Sequence, residues 1–223
     1  MSLILSTSSA KTLVVYYSYT GNCESIVTEL TNQISADAVE IEPAEKGLRY
    51  EANNYALGTQ LLNAIKANPN DAASYPAIDP VSVSVADYST VIIVTPLWWN
   101  NMAAFMQTFL FNYGAQLAGK EIGIIVSSHS SVMDPVVADA HRLIPDGRFY
   151  SESLWINNSN HARRDMIISN WLTVINRESG IRTYNKQRPT AKGIYNLNGQ
   201  QLPQAPDHGI YIENGVKKVR IKN

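Results

Sequence analysis

The stretch TLVVYYSYTGNCESI, Thr12–Ile26, decides the fold because its character changes twice within a short distance. A continuous apolar run rich in β-branched residues comes first, which is typical of a strand buried on both faces of a parallel sheet. Small polar residues follow, and the apolar positions Ile26, Leu30 and Ile34 then lie on one face of a helix. The stretch therefore predicts a strand, a polar loop and a helix that begins after Asn22.

The same alternation of strand and helix continues along the chain. The other predicted strands are TVIIVT from Thr90, EIGIIVS from Glu121, and the weaker AVEI from Ala38 and SLWIN from Ser153. The other helical patterns are residues 54–66, NMAAFMQTFLFNYG with Gly114 as its expected C-cap, and RRDMIISNWLTVIN. Together they predict an α/β domain with right-handed crossovers between parallel strands.

The end of the chain has a different pattern. GIYNLNGQQL from Gly193 and GIYIENGVKKV from Gly209 repeat each other, and each contains an Asn-Gly pair between alternating apolar residues. Because Asn-Gly suits the positive φ of a two-residue turn, the repeats predict β-hairpins, with a disordered tail as the alternative. We expect a leader or disordered segment at 1–10, a main domain at 11–180 and a small β appendage at 190–223.

Composition excludes several classes of protein. The 223 residues are 45% hydrophobic and carry 18 basic and 19 acidic side chains, so the net charge of −1 gives no support for nucleic-acid binding. No apolar run approaches the roughly 20 residues of a membrane span. The single cysteine excludes an intramolecular disulfide. The N-terminal segment lacks a basic region, so localisation stays open, with the cytoplasm slightly favoured over export.

The polar loop SYTGNC, Ser18–Cys23, lies where an α/β sheet binds ligands, between a strand and the start of a helix. A helix N-terminus attracts phosphate, and Gly21 lets the backbone approach it. No Lys follows as a nucleotide-triphosphate loop requires, and G-x-G-x-x-G is absent. A cysteine phosphatase would need an Arg where Glu29 stands, so Cys23 is expected to be a small residue rather than a nucleophile.

This loop resembles the flavodoxin phosphate loop, commonly [ST]-x-T-G-x-T. Ser18, Thr20 and Gly21 match that pattern, whereas Cys23 replaces its final Thr. Because the loop holds neither Lys nor Arg, the amide dipoles alone would have to neutralise a phosphate. Small polar residues also cap helices without any ligand, and that alternative stays open.

Two later loops extend the resemblance. TPLWWNNMAAFMQTFL places Trp98 and Trp99 in a predicted strand-to-helix loop and resembles the flavodoxin segment that wraps the isoalloxazine of FMN. Adjacent rings commonly point in different directions, so one Trp is expected to face the flavin and the other to pack inward. SSHSS, Ser127–Ser131, corresponds to the third loop of that family, and its His129 could hydrogen-bond the ring or assist proton uptake. No G-x-S-x-G motif supports a serine hydrolase.

The resemblance covers about Lys11–Asn176 and implies a flavodoxin-like doubly wound sheet of five parallel strands in the order 2-1-3-4-5. The tail instead resembles short C-terminal segments of many Bacteroidetes proteins. The implied cofactor is FMN. The residues implied for binding it are Ser18, Tyr19, Thr20, Gly21, Asn22, Cys23, Thr95, Pro96, Leu97, Trp98, Trp99, Asn100, Ser127, Ser128, His129 and Ser130.

We therefore expect an FMN protein in electron transfer or an FMN-dependent oxidoreductase, with a redox partner protein or a small-molecule acceptor. No catalytic residue is assigned, the remaining histidines have no metal-ligand spacing, and a homodimer is left open. One alternative is a NAD(P)H:quinone-type reductase whose pocket Tyr50 and Tyr55 would border. Another is a flavin-free binding module that kept the fold.

Overall fold

The computed structural model describes residues 11–50, 52–129, 132–179, 193–196, 200–206, 209–213 and 216–220. The chain divides into two compact units, Met1–Tyr184 and Asn185–Asn223, each with a sheet of its own. The predicted leader at 1–10 lies outside the described residues, as do positions 180 and 190, where the predicted domains end and begin. Those boundaries stay predictions.

A twisted sheet forms the centre of the first unit. Its strands are β1 Thr12–Tyr16, β2 Asp37–Glu40, β3 Thr90–Trp98, β4 Asn101–Met102, β5 Glu121–Ser128, β6 Arg148–Phe149 and β7 Leu154–Asn157. The parallel strands run in the order β2-β1-β3-β5-β6, and β7 pairs with the later part of β5. The predicted order 2-1-3-4-5 is thereby confirmed, with β5 as the predicted fourth strand and β7 as the fifth.

Five α-helices cover the sheet in the described part of this unit. They are α1 Asn22–Gln33, α2 Ala56–Ala67, α3 Ala104–Tyr113, α4 Asp134–Leu143 and α5 Arg164–Ser179. Helix α4 was not predicted as an element, because its buried face consists of Val136 and the small Ala140 rather than a row of large apolar residues. Helix α2 begins two residues later than predicted, because Asn53, Asn54 and Tyr55 all have positive φ.

The sheet is buried on both faces, as the continuous apolar runs predict. On β1, Leu13 and Val15 face a core that includes Phe105 of α3. Val14 faces the opposite core, where it packs with residues such as Ile26 of α1. Alternate residues of one strand thus supply two separate cores, which is the arrangement of a sheet between two helical layers.

The second unit is an antiparallel sheet. Its strands are β8 Ile194–Tyr195, β9 Gln201–Leu202, β10 Gly209–Glu213 and β11 Val216–Arg220, in the order β11-β10-β8-β9. Glu213 pairs with Val216, so two residues connect β10 to β11, as a two-residue hairpin requires. This confirms the predicted β appendage, although the turn residues Asn198-Gly199 and Asn214-Gly215 lie outside the described residues.

Gly114 ends α3 at the predicted position but for a different reason. A C-cap glycine usually has left-handed backbone angles, yet Gly114 has φ −55° and ψ −39°, which any residue adopts. A Cβ atom at this position would lie 2.2 Å from the carbonyl oxygen of Leu143, the last residue of α4. Close packing of the ends of α3 and α4 therefore requires the glycine.

We expect Gly114→Ala to lower the free energy of unfolding by about 1–3 kcal/mol, the usual cost of overpacking, because backbone rather than a movable side chain occupies the space. Urea denaturation would measure the change. Ala115→Gly exchanges the same two residue types at the next, exposed position and should cost less than about 1 kcal/mol. Equal losses in the two variants would contradict the packing explanation.

Candidate functional site

The first loop leaves the start of α1 open. The residue that precedes the helix is Gly21, with φ 79°, and no side chain caps the helix at that position. A Cβ on Gly21 would have no heavy atom within 4 Å, so the left-handed backbone rather than a lack of space requires glycine here. The amides of Asn22 and Cys23 begin the helix, where no carbonyl one turn earlier can accept from them.

The side chains around this helix start are small and polar. Ser18 is half-buried, and its Oγ accepts a hydrogen bond from the Glu24 amide at 3.2 Å. Thr20 and Asn22 are exposed, with no contact that fixes their polar groups within the described residues. The loop therefore combines a partial positive charge from the helix with free hydroxyl and amide groups, which suits an oxyanion such as phosphate.

Arg164 adds a full positive charge behind this first turn, which the sequence analysis missed. Its Nε donates to the carbonyl of Ser25 at 3.3 Å, and its Nη1 donates to the carbonyl of His161 at 3.1 Å. The Nε2 atom of His161 lies 2.9 Å from Ser25 Oγ. Burial, and then the nearby Arg164 charge, lower the pKa of His161. The expectation that amide dipoles alone would neutralise a phosphate at this turn did not include the Arg164 charge.

Cys23 does not have the properties of a nucleophile. Its side chain is 2% exposed, and its thiol forms a hydrogen bond with Ser127 at the end of β5. Burial raises the pKa of the thiol far above its ordinary value of 9.0, although the Ser127 hydrogen bond opposes this. The thiol thus stays protonated and links the first loop to the third.

We expect the buried thiol to make stability fall with rising pH. The unfolded chain loses the thiol proton near pH 9.0 while the folded chain keeps it, so the contribution is complete below that pH and is lost above it. The slope should approach about 1.4 kcal/mol per pH unit between about pH 9 and 10.

Urea denaturation of the wild type and of Cys23→Ala across that range would measure this slope. The variant should lose the Cys23 contribution while keeping any contribution from the tyrosines. The assignment to the Cys23 thiol would be contradicted if the wild type showed no fall in stability between about pH 9 and 10. It would also be contradicted if Cys23→Ala showed the same fall as the wild type.

The second loop is a hairpin rather than the simple strand-to-helix loop that was predicted. Strand β3 continues through Trp98 and pairs with β4, with Leu97 opposite Met102 and Trp98 opposite Asn101. The two connecting residues, Trp99 and Asn100, have φ 44° and 59°. Positive φ at both positions defines a type I′ turn, which is uncommon for a bulky residue such as Trp.

The hairpin directs the two tryptophans differently, as expected for adjacent rings. Trp98 packs inward against Tyr17, Tyr50 and Phe105, with ring centroids 5.7, 4.9 and 6.2 Å away. Trp99 is 44% exposed. One tryptophan thus holds the turn to the core and the other presents its ring at the carboxyl edge of the sheet.

A second segment with left-handed backbone supports the Trp99 ring. Tyr55, the last of three consecutive residues with positive φ, lies edge-on to Trp99 at a centroid distance of 5.8 Å. Gly58 on α2 lies against the indole, where a Cβ would be 2.6 Å from the Cζ3 atom of the ring. The two tyrosines that were predicted to border one pocket lie in different environments, since Tyr50 is buried and Tyr55 is exposed.

We expect Asn100→Gly to stabilise the protein by less than about 1 kcal/mol, because glycine adopts the observed φ of 59° without strain and this gain exceeds the larger backbone entropy that glycine gives the unfolded chain. Thermal or urea unfolding would measure the change. Asn101→Gly is the matched control: this residue lies in β4, and its Nδ2 donates to the carbonyl of Trp98 at 3.3 Å, so the control should destabilise. A stabilising control together with a destabilising Asn100→Gly would contradict the type I′ turn.

The third loop is attached to a fourth. Ser128 Oγ accepts from the indole Nε1 of Trp155 at 2.7 Å, and His129 Nδ1 lies 2.6 Å from Asn158 Nδ2. Ser127 is buried, and Ser130 lies outside the described residues. The first hydrogen bond joins the end of β5 to β7, and the second fixes His129 against Asn158, which follows β7.

This fourth loop, residues 157–161, was not predicted to belong to the site. Asn157 Oδ1 and Asn160 Oδ1 accept local backbone hydrogen bonds and shape the loop. Asn158 contacts His129 in the third loop, and His161 contacts Ser25 in the first turn of α1. Its sequence NNSNH has the same signal as the first loop, a cluster of small polar residues directly after a strand. That signal could have identified it.

Those predicted residues of the three loops that the structure describes lie at one edge of the sheet. Tyr16 pairs with Val94, and Pro96 pairs with Ser127, so the carboxyl ends of β1, β3 and β5 lie side by side. The side chain of Thr95 is the exception, since it is completely buried. Pro96 and Leu97 are half-buried.

The described residues were compared with the patterns expected of metal sites and membrane spans. These residues contain no group of three His, Cys, Asp or Glu side chains placed to hold a metal ion. None of the helices in them is long and apolar enough to cross a membrane.

A doubly wound α/β sheet with polar and aromatic loops at its carboxyl edge defines the class of flavodoxin-like proteins. The chain belongs to the flavodoxin family, since the family profile described as Flavodoxin matches residues 11–175. The resemblance seen in the sequence is thereby confirmed.

Solved structures agree with this assignment. A protein from Bacteroides eggerthii, named as a candidate flavoprotein, is 25% identical, with a TM-score of 0.58 over 75% of this chain and 98% of its own. A flavoprotein from Lactobacillus acidophilus, solved in complex with FMN, is 18% identical, with a TM-score of 0.55 over 70% and 98%. The second likeness concerns the fold alone.

Proposed function

We propose that this flavodoxin-family chain binds FMN at the carboxyl edge of its sheet and acts as a redox protein. The observation that carries the proposal is the open start of α1, where the cap residue Gly21 has φ 79° and offers no side-chain acceptor to the first amides of the helix. Such a helix start leaves amide donors for a phosphate. The solved flavoprotein with FMN supports the choice of ligand, because that protein shares the fold.

The residues present fit the phosphate end of the cofactor. The backbone amides of the first loop, with the side chains of Ser18, Thr20 and Asn22, would hold the phosphate. Cys23 would contribute only its amide, because its thiol is buried and bonded to Ser127. Arg164 would add a longer-range attraction behind the first turn.

The aromatic and third loops fit the ring of the cofactor. Trp99 would cover the isoalloxazine, since its indole is the exposed one of the pair, while Trp98 keeps the turn in place. The backbone of Pro96–Asn100 and the residues Ser127–His129 would enclose the ring's edge. When bound, FMN would supply reversible electron transfer, and the protein would orient it and exclude water.

The first test is the affinity of the purified protein for FMN and for riboflavin, measured by fluorescence quenching, with the visible spectrum showing bound flavin. We expect Thr20→Val to weaken FMN binding by about tenfold or more, because a hydrogen bond to a charged group contributes about 1.5–3 kcal/mol. Riboflavin binding should not change, because riboflavin has no phosphate.

Thr28→Val is the matched control, since it removes the same hydroxyl further along α1, where the group bonds the Glu24 carbonyl. It should leave both affinities unchanged. A wild-type protein that fails to bind FMN would overturn the proposal and favour the flavin-free module. Equal losses for FMN and riboflavin in Thr20→Val would contradict the phosphate assignment.

The role within redox chemistry can be tested separately. Classical flavodoxins are markedly acidic, whereas this chain has a net charge of −1, which lowers the support for a dedicated carrier. The exposed Tyr55 beside Trp99 favours a small-molecule acceptor as the second candidate. Rapid anaerobic reduction of the FMN-loaded protein by NADH or NADPH would support a reductase, and its absence would support a carrier.

A further inference from the structure

The hairpin of β3 and β4 has no glycine in its turn, so the turn depends on support from the surrounding structure. Trp99 and Asn100 have φ 44° and 59°, a region that a bulky side chain rarely adopts. Backbone of this kind persists only where neighbouring groups over-determine it. The groups that hold the hairpin therefore control where the exposed Trp99 indole lies.

Met102 is the residue of the hairpin whose backbone polar groups face away from β3. In a two-residue hairpin the pair next to the turn, here Trp98 and Asn101, exchanges hydrogen bonds, and the following pair does not. Leu97 and Met102 form that following pair, so the N–H and C=O groups of Met102 point away from β3. Because Met102 is completely buried, both groups need partners from within the protein.

Side chains from two helices provide these partners. The Oδ2 atom of Asp139 on α4 accepts from the Met102 N–H at 2.9 Å. The Nε2 atom of Gln107 on α3 donates to the Met102 carbonyl at 2.7 Å. Gln107 is buried and Asp139 is half-buried. The strand β4 is thus attached to α3 and α4 through both backbone groups of one residue.

One nitrogen of Arg142 joins the two side chains. Its Nη2 donates to Gln107 Oε1 at 2.8 Å and to Asp139 Oδ1 at 3.1 Å, which uses both N–H groups of that nitrogen. Its Nη1 donates to the Tyr75 hydroxyl at 3.2 Å, and Tyr75 donates in turn to the Pro69 carbonyl at 2.7 Å. The segment that follows α2 therefore fixes the guanidinium, as α3 and α4 do.

The guanidinium decides which way the Gln107 amide faces. Because a guanidinium only donates, Gln107 must turn its Oε1 toward Arg142, which leaves its Nε2 for the Met102 carbonyl. Without Arg142 the amide is free to rotate and to place its oxygen against that carbonyl, where two acceptors repel each other. Asp139 would also lose the positive charge that offsets its partly buried carboxylate. One side chain thus controls both hydrogen bonds to Met102.

We propose that Arg142 is a positioning residue for Trp99. Through Asp139 and Gln107 it fixes Met102, and through Met102 it fixes the hairpin whose turn carries the indole. A second part of the inference rests on the proposed function: because the indole would cover the isoalloxazine, Arg142 sets the affinity for the flavin ring. It acts on the ring end of the site and not on the phosphate end.

Fluorine NMR of the whole chain, labelled with 5-fluorotryptophan, tests the positioning without any flavin. The chain has 4 tryptophans, and the Trp99 resonance is the one that Trp99→Phe removes. Arg142→Met keeps a long side chain but removes the guanidinium, so it should shift or broaden that resonance. Asp139→Asn should do the same, because it removes the charge and one of the two acceptors. An unchanged Trp99 resonance in both variants would overturn the proposal.

Arg148→Met is the matched control for the loss of a guanidinium. Arg148 also donates to a carboxylate, that of Glu121 at 2.7 Å, but Glu121 begins β5 at the opposite edge of the sheet. The Trp99 resonance should not change in this variant, and an equal shift would contradict the specific role of Arg142. Arg142→Lys should restore the resonance only in part, because lysine keeps the charge but lacks the planar set of N–H groups.

Flavin affinities test the second part. Arg142→Met should weaken FMN and riboflavin binding by the same factor, several-fold, because the ring is common to both ligands. Thr20→Val, in contrast, should weaken FMN binding alone. Ile175→Val is the control for lost stability, since it truncates a fully buried side chain in the opposite core and should leave both affinities unchanged. A loss confined to FMN, or an equal loss in Ile175→Val, would overturn this part.

The outcomes distinguish this inference from the proposed function. A wild type that binds no flavin, but whose Trp99 resonance shifts in Arg142→Met, would retain the role of Arg142 in the hairpin and lose the proposed function. A wild type that binds FMN, with the Trp99 resonance and riboflavin affinity unchanged in Arg142→Met and Asp139→Asn, would retain the proposed function and lose this inference.

Discussion

The parallel pairing of β1 with β3, and of β3 with β5, is the constraint on which the rest of the molecule depends. Because these strands run in the same direction and in close register, their carboxyl ends lie side by side, and the three loops that follow meet at one edge. A one-residue slip would exchange the side chains that a strand supplies to the two cores and would disrupt the packing of both. The two cores therefore fix the register, and the register fixes the positions of the loops.

Much of this arrangement could be predicted from the sequence, because buried parallel strands and amphipathic helices leave strong periodic patterns. The apolar runs at Thr12, Thr90 and Glu121 form β1, β3 and β5, and the polar residues after each run lie at the carboxyl edge where we propose that FMN binds. Helix α4 left no such signal, since a short helix that buries Val136 and alanine differs little from a loop. Patterns report large apolar faces better than small ones.

The remaining differences arise from contacts between residues that are far apart in the chain. Gly114 was predicted as a helix C-cap, but glycine is required there because the Leu143 carbonyl oxygen occupies the space that a side chain would need. The turn at Trp99 and Asn100 lacks the glycine that is usual in such turns, so the sequence predicted a loop there and not a hairpin. The contacts of Arg164 and His161 with the first turn of α1 join segments more than 130 residues apart. Local sequence cannot show such contacts, because they depend on tertiary packing.

The residues at positions 58 and 99 depend on each other, although they are far apart in the chain. Its missing side chain leaves the space that the Trp99 indole occupies, so any larger residue at 58 would tilt the ring outward or demand a smaller residue at 99. A larger residue at position 58 should therefore destabilise the protein when Trp99 is present, and it should destabilise the protein less when residue 99 is also made smaller. The size of residue 58 therefore controls how far the Trp99 indole extends over the edge of the sheet, and this could be used in protein design.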